Sequence, residues 1–211
     1  MGRKDEAYQY LKNAILSNKL KQGEPIAELT IAEELQMSRT PIREAMRILE
    51  HEGLIVSYPA RGSFVSVITP LDIEEIYDLR LLLESWALER SFAHITTKEL
   101  DELERRFQRG WQARNWETLH EADKDLHALF INKSGSKRIR EFVDILNGQS
   151  DHIRHTSALQ IDRIEQSYQE HMEIIRNIRE RNLQRAKDSL HHHLRSVSRS
   201  AMEVVRSGDY R

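Results

Sequence analysis

Thr30-Ile-Ala-Glu-Glu-Leu-Gln-Met-Ser-Arg-Thr-Pro-Ile-Arg-Glu-Ala-Met-Arg-Ile-Leu49 holds two short helical patterns joined by a tight turn. The first runs from Ile31 to Leu35. Ser38 suits the N-cap of the second, and Pro41 falls in its first turn, where a missing N–H costs little. Ile42, Ala45, Met46 and Leu49 then recur at helical spacing on one face. Arg39, Arg43 and Arg47 stand one above another on the opposite face. A short helix bracing a second helix with an arginine stripe is the arrangement that enters a DNA major groove. Spacing alone fits a surface hairpin of helices with solvated arginines equally well.

The flanks separate the two readings. Upstream, residues 5–17 form an apolar stripe of Ala7, Tyr8, Leu11, Ala14 and Ile15, which predicts a helix, and Lys21-Gln-Gly-Glu-Pro25 predicts a turn. Downstream, Gly53 supplies a helix stop. Leu54 to Tyr58 and Ser63 to Val67 are β-leaning runs around Pro59-Ala-Arg-Gly62, a hairpin signal. Helix, helix, helix, hairpin is a winged helix-turn-helix, with Arg61-Gly62 at the wing tip.

Ser38-Arg-Thr-Pro-Ile-Arg-Glu-Ala-Met46, Leu49-Glu-His-Glu-Gly-Leu54 and Pro59-Ala-Arg-Gly-Ser-Phe-Val65 together resemble the N-terminal domain of the GntR family of bacterial transcription regulators, over about residues 5–67. The resemblance implies that Arg39 and Arg43 read bases, with Ser38 and Thr40 beside them. It implies that Arg47 binds phosphate or a base and that Arg61 and Gly62 enter the minor groove. Two positions depart from the pattern. Gln36 stands where many helix-turn-helix proteins have glycine. Leu29 replaces a basic residue that some relatives use, which removes one DNA contact.

At 211 residues with a formal net charge of −2, the chain is long enough for two cores and is no polycation. Residues 1–67 contain as many acidic as basic side chains, so affinity for DNA must come from where charges sit. No stretch approaches ~20 apolar residues, the N-terminus lacks the apolar run of a signal peptide, and there is no cysteine. These features lead us to expect a cytoplasmic protein with no membrane segment, disulfide or thiolate metal site.

After the connection Val67-Ile-Thr-Pro70 no strand signal appears. About six helices are expected, over 71–93, 97–113, 115–132, 136–158, 161–180 and 182–206, with starts at Thr97, Asn115 and Asn182. This divides the chain into a DNA-binding domain over 1–69 and an all-α bundle over 70–211. All histidines except His51 lie after residue 90, and three occupy apolar faces at ~100° per residue. Asp123 and His127 lie among Trp116, Leu119, Leu126 and Phe130. His171 is centred among Ile164, Tyr168, Ile175 and Ile178. His193 shares a face with Ala186, Leu190, Val197 and Val204, whereas His191 points nearly opposite and His192 to the side.

Burying such groups without partners is costly. A lone buried histidine is usually a hydrogen-bonded core residue. One Asp and three His from three helices form a set suited to Zn²⁺, Ni²⁺, Mn²⁺, Co²⁺ or Fe²⁺, with zinc expected in purified protein. Arg80 also lies on an apolar face, flanked by Ile73, Ile76, Tyr77, Leu83 and Ala87. It pairs internally with Glu84 or serves as a fork for a ligand carboxylate. His152 and His155 have no assigned role.

Asp123-Lys-Asp-Leu-His127, followed by His171 and His193, is similar to the metal-binding pattern of the FCD effector domain in the FadR subfamily of GntR regulators. Coverage is about residues 70–206, in the shorter, six-helix, VanR-like branch. The resemblance implies a homodimer on a pseudo-palindromic double-stranded operator, a small carboxylate effector at the metal and at Arg80, and repression relieved by that effector. Two other readings use the same residues. In one, the ion itself is the signal. In the other, a metal-bound water makes the site a metallohydrolase, though no side chain nearby is marked as a general base.

Overall fold

The structure is a computed structural model and describes residues 2–156 and 161–207, with the side chains of 154–156 and 161–162 left aside. The described residues fall into two compact units. One consists of 2–73, 145–156 and 204–207; the other of 74–144 and 161–203.

In the first unit, α1 (Arg3–Leu16), α2 (Glu28–Glu34) and α3 (Arg39–His51) pack round a core that includes Leu11, Ile15, Ile31, Ile42, Leu49 and Leu54. These are the apolar positions that repeat at helical spacing. Burying such a side chain contributes about 1.5–3 kcal/mol, which is why the stripe fixes each helix's inward face. Between α2 and α3, Gln36 adopts φ 51° in the left-handed region usually given to glycine. Its carbonyl accepts a bond from Arg3 Nη1 at 2.8 Å, and Met37 N–H reaches Ala32 O at 2.9 Å. Ser38 occupies the N-cap of α3 with extended backbone, but its hydroxyl makes no cap bond, so the cap expected there is positional only.

Gly53, at φ 76°, ends α3; an added Cβ would also meet Gln149 Nε2 at 2.2 Å. The chain then enters β1 (Ile55–Tyr58) and β2 (Gly62–Val65), antiparallel, with Ile55 opposite Val65 and Tyr58 opposite Gly62. Residues before α2 edge the hairpin, since Ile26 N–H bonds Ser63 O at 2.8 Å and Val65 N–H bonds Glu24 O at 3.0 Å.

The helices that follow are α4 (Pro70–Ser91), α5 (Thr97–Gln112), α6 (Trp116–Lys133), α7 (Lys137–Thr156), α8 (Ile161–Arg179) and α9 (Leu183–Ser207). A short 3-10 turn, Phe92–His94, follows α4. The N-cap of α5 is Thr96 and not Thr97, because Glu99 three residues on completes a capping box. Asn115 and Asn182 both accept cap bonds, as expected. Helices α5 and α6 approach closely where α5 carries Gly110; a Cβ there would lie 3.0 Å from Leu119 Cγ. The second unit's core gathers Phe107, Leu126, Phe130, Ile174, Ile178 and Leu190. Buried among these apolar side chains are Arg80, Glu84, Asp123, His127, His171 and His193.

Candidate functional site

In the first unit, Ser38, Arg39, Thr40, Arg43, Arg47, Arg61 and Gly62 are all exposed. Buried Ile42, Ala45, Met46 and Leu49 face the core, so α3 must turn its arginines outward. Glu28, at the start of α2, joins Arg39 and Arg43. Its Oε2 accepts from Arg39 Nη2 at 3.0 Å and from Arg43 Nε at 2.7 Å. Burial alone would raise the Glu28 carboxyl, but the two guanidinium groups bring it below its ordinary value. Arg43 is therefore held through Nε, away from the terminal nitrogen pair that forks onto guanine O6 and N7. At the wing, the guanidinium of Arg61 lies 5.5 Å from the Tyr58 ring centre. Leu29 is 58% exposed and offers no charge at the head of α2.

In the second unit, Asp123 and His127 sit one turn apart on α6, His171 projects from α8 and His193 from α9. One candidate ligand atom from each lies within 4.8 Å of every other, and all four residues are buried. Asp123 Oδ1 is 2.7 Å from His171 Nε2, 3.5 Å from His127 Nε2 and 3.8 Å from His193 Nε2. The ring centres of His171 and His193 are 4.3 Å apart. His191 and His192 are exposed; His191 Nε2 meets Ser85 Oγ at 2.9 Å on α4. His193, which shares its helix face with Ala186 and Leu190, is the member of the triplet that enters the cluster. His152 is buried outside the cluster, and the side chain of His155 lies outside the described residues.

Two carboxylates that the sequence left without a role in this cluster complete its surroundings. Glu84 bonds His127 Nδ1 through Oε2, and its Oε1 accepts from Arg80 Nε at 2.7 Å. Glu170 Oε2 lies 2.8 Å from His193 Nδ1. Arg163 donates to both Glu170 oxygens, at 2.8 and 3.3 Å. His171 is set differently, its ring stacked on Phe107 with centres 4.8 Å apart. Arg80 is 4% exposed, and its guanidinium lies 5.5 Å from the Tyr77 ring centre. Arg80 forms the internal pair with Glu84.

Electrostatics divide the histidines. Burial pushes the His193 pKa down to about 3, with neighbouring His171 acting the same way. Burial also lowers His171, partly offset by Asp123. Both rings are therefore neutral near pH 7, the form in which imidazole binds a metal. Burial opposes charge on His127 too, but Glu84 and Asp123 outweigh it and raise its pKa. Among the described residues, the Nε2 atoms of His127 and His171 are buried with no hydrogen bond of acceptable geometry. Three imidazole nitrogens from three helices turned onto one buried carboxylate are a donor set that fits a divalent transition metal.

Comparison with known proteins agrees with both units. Residues 3–65 match the gntR family of bacterial regulatory proteins, and residues 75–196 match the FCD domain. The uncharacterized HTH-type transcriptional regulator YdhC of Bacillus subtilis (strain 168) is 27% identical over 210 residues, covering 95% of this chain and 92% of YdhC. A GntR transcriptional regulator from Rhodococcus sp. RHA1 superposes with a TM-score of 0.80 at 23% identity, with both chains fully covered. The metal-free FCD domain of TM0439 aligns with a TM-score of 0.62 at 25% identity, over 67% of this chain and 99% of that one. The chain belongs to the GntR family and carries a C-terminal FCD domain. It is a DNA-binding transcriptional regulator, not an enzyme.

Proposed function

We propose that this regulator is a cytoplasmic repressor whose hold on its operator is set by a small organic acid bound at a metal in the FCD domain. Residues 1–69 carry the DNA-binding function; residues 70–211 carry metal, effector and dimer contacts. The observation that carries this reading is the convergence of Asp123 with the Nε2 atoms of His127, His171 and His193 in a buried core. Zinc is expected in the purified protein; Ni²⁺, Mn²⁺, Co²⁺ and Fe²⁺ suit the same donors. The ion would supply a Lewis-acidic anchor for a carboxylate oxygen.

Charge balance favours a monoanion as the effector. Arg80 offsets Glu84 and Arg163 offsets Glu170. A dication facing Asp123 would then keep one positive charge, which a single carboxylate cancels. Such an acid changes DNA affinity only as far as it prefers one arrangement of the protein over another.

A homodimer is the form that matches a pseudo-palindromic operator. On α4, Leu79, Leu82 and Trp86 are 48%, 68% and 42% exposed at i, i+3 and i+7. This apolar row suits a second copy of the chain. Ser38, Arg39, Thr40, Arg43 and Arg47 would lie in the major groove, with Arg61 and Gly62 at the minor groove.

Metal analysis of purified protein tests the site. His171→Ala and His193→Ala should lose the bound metal, while His191→Ala retains it. Equal loss in all three variants, or full retention in all three, would sink the assignment. A metal-sensing role, with the ion as the signal, is the second reading. It requires weak, reversible metal binding that changes operator affinity with no acid present.

A further inference from the structure

We infer that Glu84 and Glu170 are positioning residues that hold His127 and His193 with Nε2 turned toward the metal, each carboxylate being anchored by its own arginine. The inference rests on the proposed metal site and deepens it. Two unrelated stretches of chain build the same relay. On α4, Arg80 Nε binds Glu84 Oε1, and Glu84 Oε2 meets His127 Nδ1. On α8, Arg163 grips both Glu170 oxygens, and Glu170 Oε2 meets His193 Nδ1 at 2.8 Å. In both, the arginine comes from the same helix as the carboxylate, while the histidine comes from another helix.

The chemistry of the pairs fixes their direction. An ionised carboxylate only accepts hydrogen bonds, so it requires a proton on Nδ1. In a neutral imidazole that leaves the lone pair on Nε2, the atom facing Asp123. The carboxylate also stops ring rotation and makes the imidazole a better donor to a metal. Burying Glu84 or Glu170 merely to pair with an arginine would not bring a histidine nitrogen onto the same carboxylate: His127 takes the oxygen of Glu84 that Arg80 Nε leaves, and His193 shares Glu170 Oε2 with Arg163. His171 has a different support: Phe107 stacks on its ring and sets its plane.

The test compares metal-stripped wild-type protein with Glu170→Gln, Glu84→Gln and His171→Ala. Zinc affinity is measured by competition with a chromophoric chelator, alongside the melting temperature of each metal-free protein. Glu170→Gln should weaken zinc binding about 10–100-fold while the metal-free melting temperature holds. Glu84→Gln should act in the same direction; if Arg80 left unpaired prevents folding, Glu170→Gln alone decides, because Arg163 is less deeply buried. Nitrogen-15 NMR of the metal-free wild type should show His193 as the Nδ1–H tautomer. Zinc affinity unchanged in Glu170→Gln, or His193 protonated on Nε2, would overturn the inference. Wild type and His171→Ala alike failing to bind zinc would overturn the metal site as well. Zinc bound by wild type, lost in His171→Ala and kept by Glu170→Gln would overturn the relay alone.

Discussion

Arg43 and Glu28 show how a single contact gives a stripe of charge direction. The sequence places Arg39, Arg43 and Arg47 on one face of α3, and each is exposed. It gives no sign that Glu28, on another helix, gathers two of them on one oxygen. Arg43→Ala should cost about 1–3 kcal/mol of specific operator binding, read by titration of a labelled operator. Glu28→Gln removes a negative charge from the DNA-facing side, so binding to random-sequence DNA should tighten and its salt dependence steepen. Unchanged affinity for random DNA would mean that Glu28 is too far from the phosphates to matter. Glu170 was equally hidden. It precedes His171 directly in the sequence, yet its partner among the metal candidates is His193 on the next helix. A charged residue beside a buried histidine, with Arg163 two helical turns before it, was the available signal. It carried no direction, because pattern analysis assigns faces and does not identify neighbours.

Among the helices, α5 illustrates how a start signal becomes stability. Thr96 accepts from Glu99 N–H, and Glu99 bonds back to the Thr96 N–H at 3.0 Å while also meeting Lys133 Nζ at 2.9 Å. Thr96→Ala should cost about 1 kcal/mol in urea unfolding. Burial works against the Glu99 carboxylate, but Lys133 and Thr96 hold its pKa down at about 2. Because the folded value lies below the unfolded one, this stabilisation is complete above about pH 4.5 and fades as pH falls toward 2. The stability gap between wild type and Glu99→Gln should therefore be widest near neutrality and narrow through pH 4 and below. A gap that widened on acidification would contradict this account. Interior packing is less forgiving. Phe107 is fully buried and backs His171, so Phe107→Ala should cost about 3–5 kcal/mol and weaken metal binding with it.

At the scale of the whole molecule, the two units differ in how their cores are made. In the first, α1–α3 and the hairpin close on apolar side chains; the second buries the Arg80–Glu84 ion pair and three clustered imidazoles together with its apolar residues. Inward nitrogens make the second unit dependent on what occupies them. Stripping metal with a chelator should lower the melting temperature. An ion present at a hundred times its dissociation constant stabilises by about 2.7 kcal/mol, and each kcal/mol is worth about 2–4 °C in a chain of this size. Equal melting curves with and without zinc would remove the metal from the folded state. Leu82→Glu, on the exposed row of α4, should convert a dimer to monomers in sedimentation equilibrium and reduce operator affinity with it. A dimer that survived this change would place the self-association surface elsewhere.

The sequence by itself determined the winged helix-turn-helix, the outward arginines, the helical second unit and the candidate ligands Asp123, His127, His171 and His193. Each follows from periodicity, turn chemistry or a local motif, and these are set by residues close in the chain. Tertiary structure alone decided that the four candidate ligands meet within 4.8 Å, and that Glu84 and Glu170 face the outer nitrogens of His127 and His193. Those pairings join residues from different helices. Packing geometry brings them together, and hydrogen bonds between side chains of distant sequence position leave no period to read.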